Sequence, residues 1–203
     1  MAKFINKKSS YIGKNVKLGK NVVVYPNNFI DGNSKIGDNS VLMPGNYITN
    51  SVIESNCKIQ SSNIDDSVVE SGSVVGPFAR IRPGTNIGKN CKIGNFVEIK
   101  NSQVGDGSKI SHLAYVGDSQ IGKNCNVGCG VIFANYSGKA KNKIFVGDHV
   151  FIGSNSNLIA PVEIQSNSYI CAGTTVTEKV NSGDFVIGRA KQINKPDRAK
   201  KYF

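Results

Sequence analysis

A chain of 203 residues is long enough for one domain with a hydrophobic core and too short for two large ones. Its net charge of +11 would suit nucleic-acid binding, but the excess lies mainly at the two ends and lacks the interleaved aromatic residues of a base-stacking surface. No apolar run reaches the roughly 18 residues of a membrane span, no signal peptide opens the chain, and the cysteines form no CxxC pair. We therefore expect a soluble, cytoplasmic protein that binds neither nucleic acid nor membranes and has neither a disulfide framework nor a zinc site.

A repeat of six residues organises nearly the whole chain. It begins as a series of aliphatic residues six positions apart, usually followed by Gly or another turn-tolerant residue: Ile12, Leu18, Val24, Ile30, Ile36, Leu42 and Ile48. After resets the spacing resumes at Ile53 and Ile59, from Val69 to Ile99, from Val104 to Val116, from Ile121 to Phe133, and from Val146 to Val176. A period of six fits neither an α-helix nor a long alternating strand. It predicts an all-β fold, a parallel β-helix in which three short strands make one triangular coil.

Small residues two positions before an aliphatic residue should also point into this core. Cys57, Cys91 and Cys125 stand at that position, so we interpret them as core residues and not as ligands or nucleophiles. Gly and Asn recur at the bends because both tolerate positive φ.

The repeat is interrupted in the second half of the chain. Phe133 and Val146 are thirteen residues apart, which predicts an ejected loop over about residues 134–145. Five-residue spacings before Val104 and Ile121 bracket a second irregular stretch, which contains His112. The period is lost after Thr177, so we predict a β-helix domain over residues 1–178 and a basic tail over residues 179–203.

Five segments occur in an order that is specific to one family. They are GPFARIRPG at 76–84, GNFVEIK at 94–100, SHLAYVGD at 111–118, NVGCG at 126–130 and ANYSGKAK at 134–141. They closely resemble the acetyltransferase domain of the bacterial bifunctional UDP-N-acetylglucosamine pyrophosphorylase/glucosamine-1-phosphate N-acetyltransferases, which are hexapeptide-repeat acyltransferases. The resemblance implies a left-handed β-helix, whereas general crossover rules favour the right hand. It also implies acetyl transfer from acetyl-CoA to glucosamine-1-phosphate, in a homotrimer with active sites between subunits.

The resemblance assigns roles to individual residues. His112 would be the general base that takes a proton from the 2-ammonium group of the sugar, a task that suits imidazole near neutral pH. Most histidines in bends only support the turn, and we keep that interpretation for His149. Glu98 is a candidate to orient or support His112. Arg82, Lys100 and Lys141 are implied to bind the phosphate of the substrate, and Tyr115 and Asn126 are implied to contact its sugar. The residues implied to bind acetyl-CoA are Cys129, Asn135, Tyr136, Ser154, Ala172 and Arg189.

The chain departs from the family in two respects. Cys129 stands where the family usually has a small apolar residue such as alanine, so the identity of the transferred acyl group is left open. The backbone N–H of Cys129 is still implied as the donor to the oxyanion. A nucleotide-binding domain with a Gly-rich loop is absent from the sequence. We therefore expect no metal and no uridylyl transfer by this chain, unless a separate uridylyltransferase supplies that step.

The residues alone also allow two other classes of function. An acyltransferase for another acceptor would keep His112 but would not need the basic groups of Arg82, Lys100 and Lys141. A non-catalytic solenoid, the assembly partner of a separate uridylyltransferase, would bind without turnover. The carbonic anhydrases of this fold are excluded because they need three zinc-binding histidines and the chain has two.

Overall fold

The structure, a computed structural model, describes residues 1–203 and consists almost entirely of short strands. Its helices are 3-10 helices at Lys7–Ser9 and Arg198–Lys201, and no helix is long and apolar enough to cross a membrane. The strands, in chain order, are β1 (Lys3–Phe4), β2 (Tyr11–Ile12), β3 (Lys17–Leu18), β4 (Val23–Val24), β5 (Phe29–Asp31), β6 (Lys35–Ile36), β7 (Val41–Leu42), β8 (Tyr47–Thr49), β9 (Val52–Ile53), β10 (Lys58–Ile59), β11 (Asn63–Asp65), β12 (Val68–Val69), β13 (Val74–Val75), β14 (Arg80–Ile81), β15 (Asn86–Ile87), β16 (Lys92–Lys100), β17 (Gln103–Val104), β18 (Lys109–Gly117), β19 (Ser119–Ile121), β20 (Asn126–Val127), β21 (Ile132–Ala134), β22 (Ile144–Val146), β23 (Phe151–Ile152), β24 (Asn157–Ile159), β25 (Val162–Ile164), β26 (Tyr169–Ile170), β27 (Thr175–Val176) and β28 (Phe185–Val186).

Three strands make one coil, and each strand pairs in parallel with the strands one coil before and after it. Tyr11 pairs with Phe29 and Phe29 with Tyr47, so a regular coil takes eighteen residues. About ten coils form a parallel β-solenoid consistent with a left-handed β-helix, which confirms the predicted fold class. We call its sides the first face (from β1 and β4 to β28), the second face (from β2 and β5 to β27) and the third face (from β3 and β6 to β25).

Stacked aliphatic side chains fill the interior along the axis. The residues predicted from the six-residue period are buried, except that Ile12 and Leu18 in the first coil are only partly buried. Ile64 was not predicted, yet it is fully buried and pairs with Ile48 and Ile81 in the stack. It lies five residues from the preceding and following core residues, because both adjoining bends are one residue shorter than usual.

The three cysteines predicted in the core are buried there. Cys57, Cys91 and Cys125 have relative exposures of 1%, 2% and 1%. Burial raises the pKa of all three thiols, that of Cys91 to about 11. These thiols are therefore protonated and shielded at neutral pH, as small core residues should be.

Thiol labelling should distinguish the five cysteines. We expect one thiol per chain to react with Ellman's reagent in the native protein, because Cys129 is exposed and the other four are buried. All five should react after denaturation in guanidinium chloride. Cys129→Ala is the control and should abolish the native reaction. Rapid reaction of two or more thiols in the native protein would contradict the buried positions.

The solenoid continues beyond the predicted boundary at residue 178. Val180 is buried and forms a bridge with Ile164, and Phe185 of β28 pairs with Tyr169. Val180 follows Val176 after one short bend, and six residues later Val186 packs against the core. The β-helix therefore extends to Val186, and the basic tail begins after it.

Candidate active site

Two long strands shape the corner between the first and second faces, which we call the first corner. β16 and β18 have nine residues each and pair along their whole length, so they cross this corner without the break seen in other coils. Phe96 and Leu113 take positive φ values of 56° and 42° there. Asn95 and His112, which precede them, are paired neighbours on adjacent coils.

A row of exposed residues runs along the first corner in successive coils. Backbone N–H groups donate at 2.8 Å to the preceding coil, from Gly130 to Leu113, from Asn155 to Cys129, and from Gly173 to Ser154. The register of the first face defines the row: Ile110, Val127, Ile152 and Ile170 are ladder partners in successive coils, and each residue of the row stands two positions after one of them. We call this set the corner row: His112, Cys129, Ser154 and Ala172.

His112 is exposed, and one of its ring nitrogens has a fixed partner. Its Nδ1 lies 2.7 Å from the amide oxygen Oδ1 of Asn95, whereas Nε2 has no hydrogen-bond partner within the chain. An imidazole held in this way can accept a proton at Nε2. His149 instead occupies an ordinary bend with φ of 56°, where its backbone N–H donates to the Lys123 carbonyl. This placement suits a turn residue.

The rest of the corner row presents groups that could hold a thioester. The Cys129 N–H, one coil after His112, donates to no acceptor within the chain. Arg189 reaches the end of the row, where its Nη1 donates to the Ala172 carbonyl oxygen at 2.8 Å. Asn126 lies on the adjoining first face, in β20. The structure therefore brings His112 together with four of the six residues expected to bind acetyl-CoA.

The expected phosphate-binding residues lie at the next corner, between the second and third faces, which we call the second corner. Arg82 Nη1 donates to Glu98 Oε1 at 2.8 Å, and both side chains are about one-third exposed. Glu98 therefore pairs with Arg82 and not with His112, contrary to the expectation. The reason is its position on the second face, past the first corner, whereas Asn95 is in direct register with His112.

Two lysines and a carboxylate complete the second corner. Lys141 of the ejected loop lies against Lys100, and this contact together with desolvation lowers the pKa of Lys100 even though Asp118 opposes the change. Arg82, Lys100 and Lys141 supply three cations against the carboxylates of Glu98 and Asp118, a charge pattern that suits a dianionic phosphate. We call these five residues the anion cluster. No group of three or more His, Cys, Asp or Glu side chains is arranged to hold a metal ion.

Asp118 anchors the base of the loop. Its carboxylate is almost buried and accepts hydrogen bonds from the side-chain amides of Asn101 at 2.6 Å and Asn135 at 2.5 Å. Burial disfavours the ionised form, but the two amides, followed by Lys100 and Lys141, outweigh it and lower the pKa of Asp118. Asn135 was expected to bind acetyl-CoA, and within a single chain it is buried and fixes the loop.

The loop itself spans residues 135–143, slightly shorter than predicted. Tyr136 is exposed and forms a bridge with Lys141, and its hydroxyl donates to the Gly138 carbonyl oxygen at 2.7 Å. On the second face, the Tyr115 hydroxyl leans over Gly117, where a Cβ would lie 2.6 Å from that oxygen. Gly117 therefore provides the space that lets Tyr115 approach the anion cluster.

Asp118→Asn should lower the free energy of unfolding at pH 7 by about 1.5–3 kcal/mol, the usual worth of a hydrogen bond to a charged group. A carboxyl whose pKa is lowered by folding stabilises the protein above its unfolded pKa of about 3.9, and this contribution is lost as pH falls through the lower folded value. Urea unfolding at pH 7 and at pH 3 should therefore show a difference that shrinks in acid. Glu178→Gln, at an exposed carboxylate, is the control. A difference that is independent of pH would argue against an ionised Asp118.

Most of the sequence is similar to known proteins. Residues 63–142 match the family model described as GMPPB C-terminal domain, and residues 143–178 match Bacterial transferase hexapeptide (six repeats). The curated relatives include proteins named Bifunctional protein GlmU from Clostridium novyi and Clostridium beijerinckii, which are 50% and 49% identical over 190 residues. The chain therefore carries the bacterial transferase hexapeptide repeat and is similar to the C-terminal part of GlmU proteins. Each alignment covers 94% of this chain but 42% of the relative, in its C-terminal part, so this hexapeptide-repeat chain spans less than half the length of those proteins.

A solved structure has a similar fold. The UDP-N-acetylglucosamine acyltransferase of Francisella novicida superimposes with a TM-score of 0.57 over 90% of this chain and 68% of that one. Its sequence identity is 18%, so the likeness concerns the fold alone.

Two residues of this hexapeptide-repeat site were not predicted. Asn95 and Asp118 both lie within the segments that indicated the family, but the expectation gave them no role. Each stands seventeen residues before its partner, Asn95 before His112 and Asp118 before Asn135. Seventeen residues is the length of a coil with one short bend. Residues that far apart lie side by side on adjacent coils, so the repeat spacing could have predicted both pairs.

Proposed function

We propose that this chain transfers an acetyl group from acetyl-CoA to the 2-amino group of glucosamine-1-phosphate. The observation that carries the proposal is the corner row, where the anchored imidazole of His112 lies one coil from the free N–H of Cys129. The five segments shared with glucosamine-1-phosphate acetyltransferases, and the 50% identity to a GlmU protein, support this acceptor and donor.

The proposed reaction is a direct transfer. His112 Nε2 takes a proton from the 2-ammonium group, and the free amine attacks the thioester carbonyl carbon to form the new C–N bond. The Cys129 N–H stabilises the negative charge on the carbonyl oxygen. The C–S bond then breaks, the coenzyme A thiolate takes the proton held by His112, and the nitrogen releases its remaining extra proton to water. The product is N-acetylglucosamine-1-phosphate.

The remaining residues hold the two substrates. Arg82, Lys100 and Lys141 of the anion cluster would bind the phosphate, and Tyr115 and Asn126 would contact the sugar. Acetyl-CoA would lie along the corner row and contact Ser154, Ala172 and Arg189. Asn135 and Tyr136 would reach it from the loop of a neighbouring copy.

A single chain cannot complete this site. His112 lies five residues before Gly117, the partner of Lys100, so the path along the strand between the two corners is roughly 16 Å at about 3.3 Å per residue. An amino-sugar phosphate is much shorter. We infer a homotrimer in which the corner row of one copy faces the anion cluster of the next. The exposed apolar side chains Phe78, Phe96 and Leu113, each 57–59% exposed along the first corner, suit such a contact.

Release of coenzyme A tests the proposal. Acetyl-CoA would be mixed with the protein and glucosamine-1-phosphate, glucosamine or glucosamine-6-phosphate, with a thiol reagent as the readout and a blank without acceptor for Cys129. Release with the 1-phosphate alone is the expected result. Release with another acceptor would redirect the substrate assignment, and no release with any acceptor or acyl donor would favour a non-catalytic solenoid.

Lys100→Ala should raise KM for glucosamine-1-phosphate by about 10- to 100-fold and leave KM for acetyl-CoA nearly unchanged. The reason is that Lys100 is a cation of the anion cluster without an ion-pair partner within 4.0 Å, so its loss would weaken phosphate binding without breaking a salt bridge. Steady-state kinetics with each substrate varied would measure the split. Lys35→Ala, at an exposed lysine on the third face, is the control. Equal changes in both KM values would argue against a phosphate contact.

A further inference from the structure

We infer that Asn95 is the positioning residue of His112, which fixes the imidazole in the form that can act as a base. The inference rests on the proposed function, because it concerns the same proton transfer. It starts from the 2.7 Å contact between Asn95 Oδ1 and His112 Nδ1.

The chemistry of the contact selects one tautomer. An amide oxygen only accepts hydrogen bonds, so Asn95 Oδ1 binds His112 when the ring proton is on Nδ1. The lone pair of the neutral ring then lies on Nε2, the nitrogen without a partner within the chain. An outer partner that holds one ring nitrogen in this way sets both the tautomer and the orientation of the ring.

The backbone holds the two residues in place. Asn95 and His112 are direct partners in the β16–β18 ladder, about 4.8 Å apart as paired strands require. The preceding Gly94 is buried so close to β18 that a Cβ would lie 1.9 Å from the Ser111 carbonyl oxygen. The distance between the two strands is therefore fixed, and the short asparagine side chain bridges it to reach the imidazole.

A neutral partner also suits the task better than a carboxylate. A carboxylate would stabilise the imidazolium form of His112. In that form Nε2 already carries a proton and cannot act as a base. Glu98, the nearest carboxylate along β16, is bonded to Arg82. The other ionisable groups on adjoining elements do not bond to His112: Cys129 in the next coil, Tyr115 on the second face, and Lys92 and Lys109 on the first face.

The tautomer can be measured without turnover. The chain has two histidines, so His149→Gln leaves His112 as the only imidazole in a 15N-labelled protein. Long-range 1H–15N spectra of the neutral imidazole should show the proton on Nδ1. Asn95→Ala in the same background should shift His112 towards the Nε2–H tautomer or a mixture of both. An unchanged Nδ1–H tautomer would overturn the inference.

Kinetics provide the second readout. Asn95→Ala should lower kcat by about 10- to 100-fold and leave both KM values unchanged. Asn95→Asp keeps the acceptor and should recover most of the activity at high pH, with the rise of kcat displaced upwards by about one pH unit or more, because the carboxylate favours the imidazolium. Asn33→Ala, at an exposed asparagine in a bend, is the matched control.

The two proposals can fail separately. If His112→Ala is inactive but Asn95→Ala has normal kcat and a normal pH profile, the positioning role is wrong and the proposed function stands. If His112→Ala retains full activity, the proposed mechanism is wrong, and the tautomer measurement still decides whether Asn95 fixes the ring.

Discussion

Replacing His112 by alanine should lower kcat by about 10²–10⁴-fold, the usual contribution of a general base. The side chain is exposed at the first corner and bonds only to Asn95, so its removal leaves the core unaltered. Thermal unfolding and acetyl-CoA binding, followed by calorimetry, should therefore match the unmodified protein. The loss should be confined to turnover.

The matched control for this variant is His149→Ala, which removes the other histidine from an exposed bend. It should keep nearly full activity. Near-normal turnover by His112→Ala would remove His112 from the proton transfer, and loss of acetyl-CoA binding would indicate a structural role instead.

Gly94→Ala should have the largest effect on stability. The new Cβ would lie 1.9 Å from the Ser111 carbonyl oxygen and 2.6 Å from its carbonyl carbon, and both atoms belong to the backbone of β18. Side-chain rotation cannot relieve this clash, so β16 and β18 must separate. We expect a loss of about 3–5 kcal/mol, in the upper range for single substitutions. Tm should fall by roughly 10 °C for a chain of this size.

Circular dichroism during heating would measure this change, and activity at a temperature where the variant is folded would report the displacement of His112. Gly188→Ala is the control, because the nearest atom to its new Cβ would be the Thr174 side-chain methyl at 3.0 Å, a much milder contact than the backbone oxygen at 1.9 Å from residue 94. A Tm close to that of the unmodified protein would show that the ladder can accommodate a side chain at residue 94.

The six-residue period predicted the coils because each repeat unit places one aliphatic residue in the core. It failed at Ile64 and Val180, where shorter bends reduce the number of residues between successive core positions but the side chain still points into the core. A periodicity rule detects constant spacing, whereas burial depends on which residues the backbone turns inward. The end of the β-helix was therefore placed too early.

The candidate site was predicted less completely than the fold. The resemblance indicated which positions matter, but the contacts between them depend on register and on competition between side chains. Glu98 had two possible partners in the sequence, and the structure gives it to Arg82 because that arginine lies on the same face. The distribution of residues over two corners also follows from coil geometry, which the order of the motifs does not contain.

The stacking of coils also determines where the molecule opens. Each coil contacts only its neighbours, so an end coil is held from one side, and Ile12 and Leu18 are correspondingly less buried than their counterparts inside. Fraying should start at the two ends and become rarer towards the middle. β16 and β18 lie several coils from either end, and their pairing is the most extensive in the solenoid. Amide hydrogens of β16 and β18 should therefore be among the last to exchange, so that the segment carrying His112 stays ordered while the ends open and close.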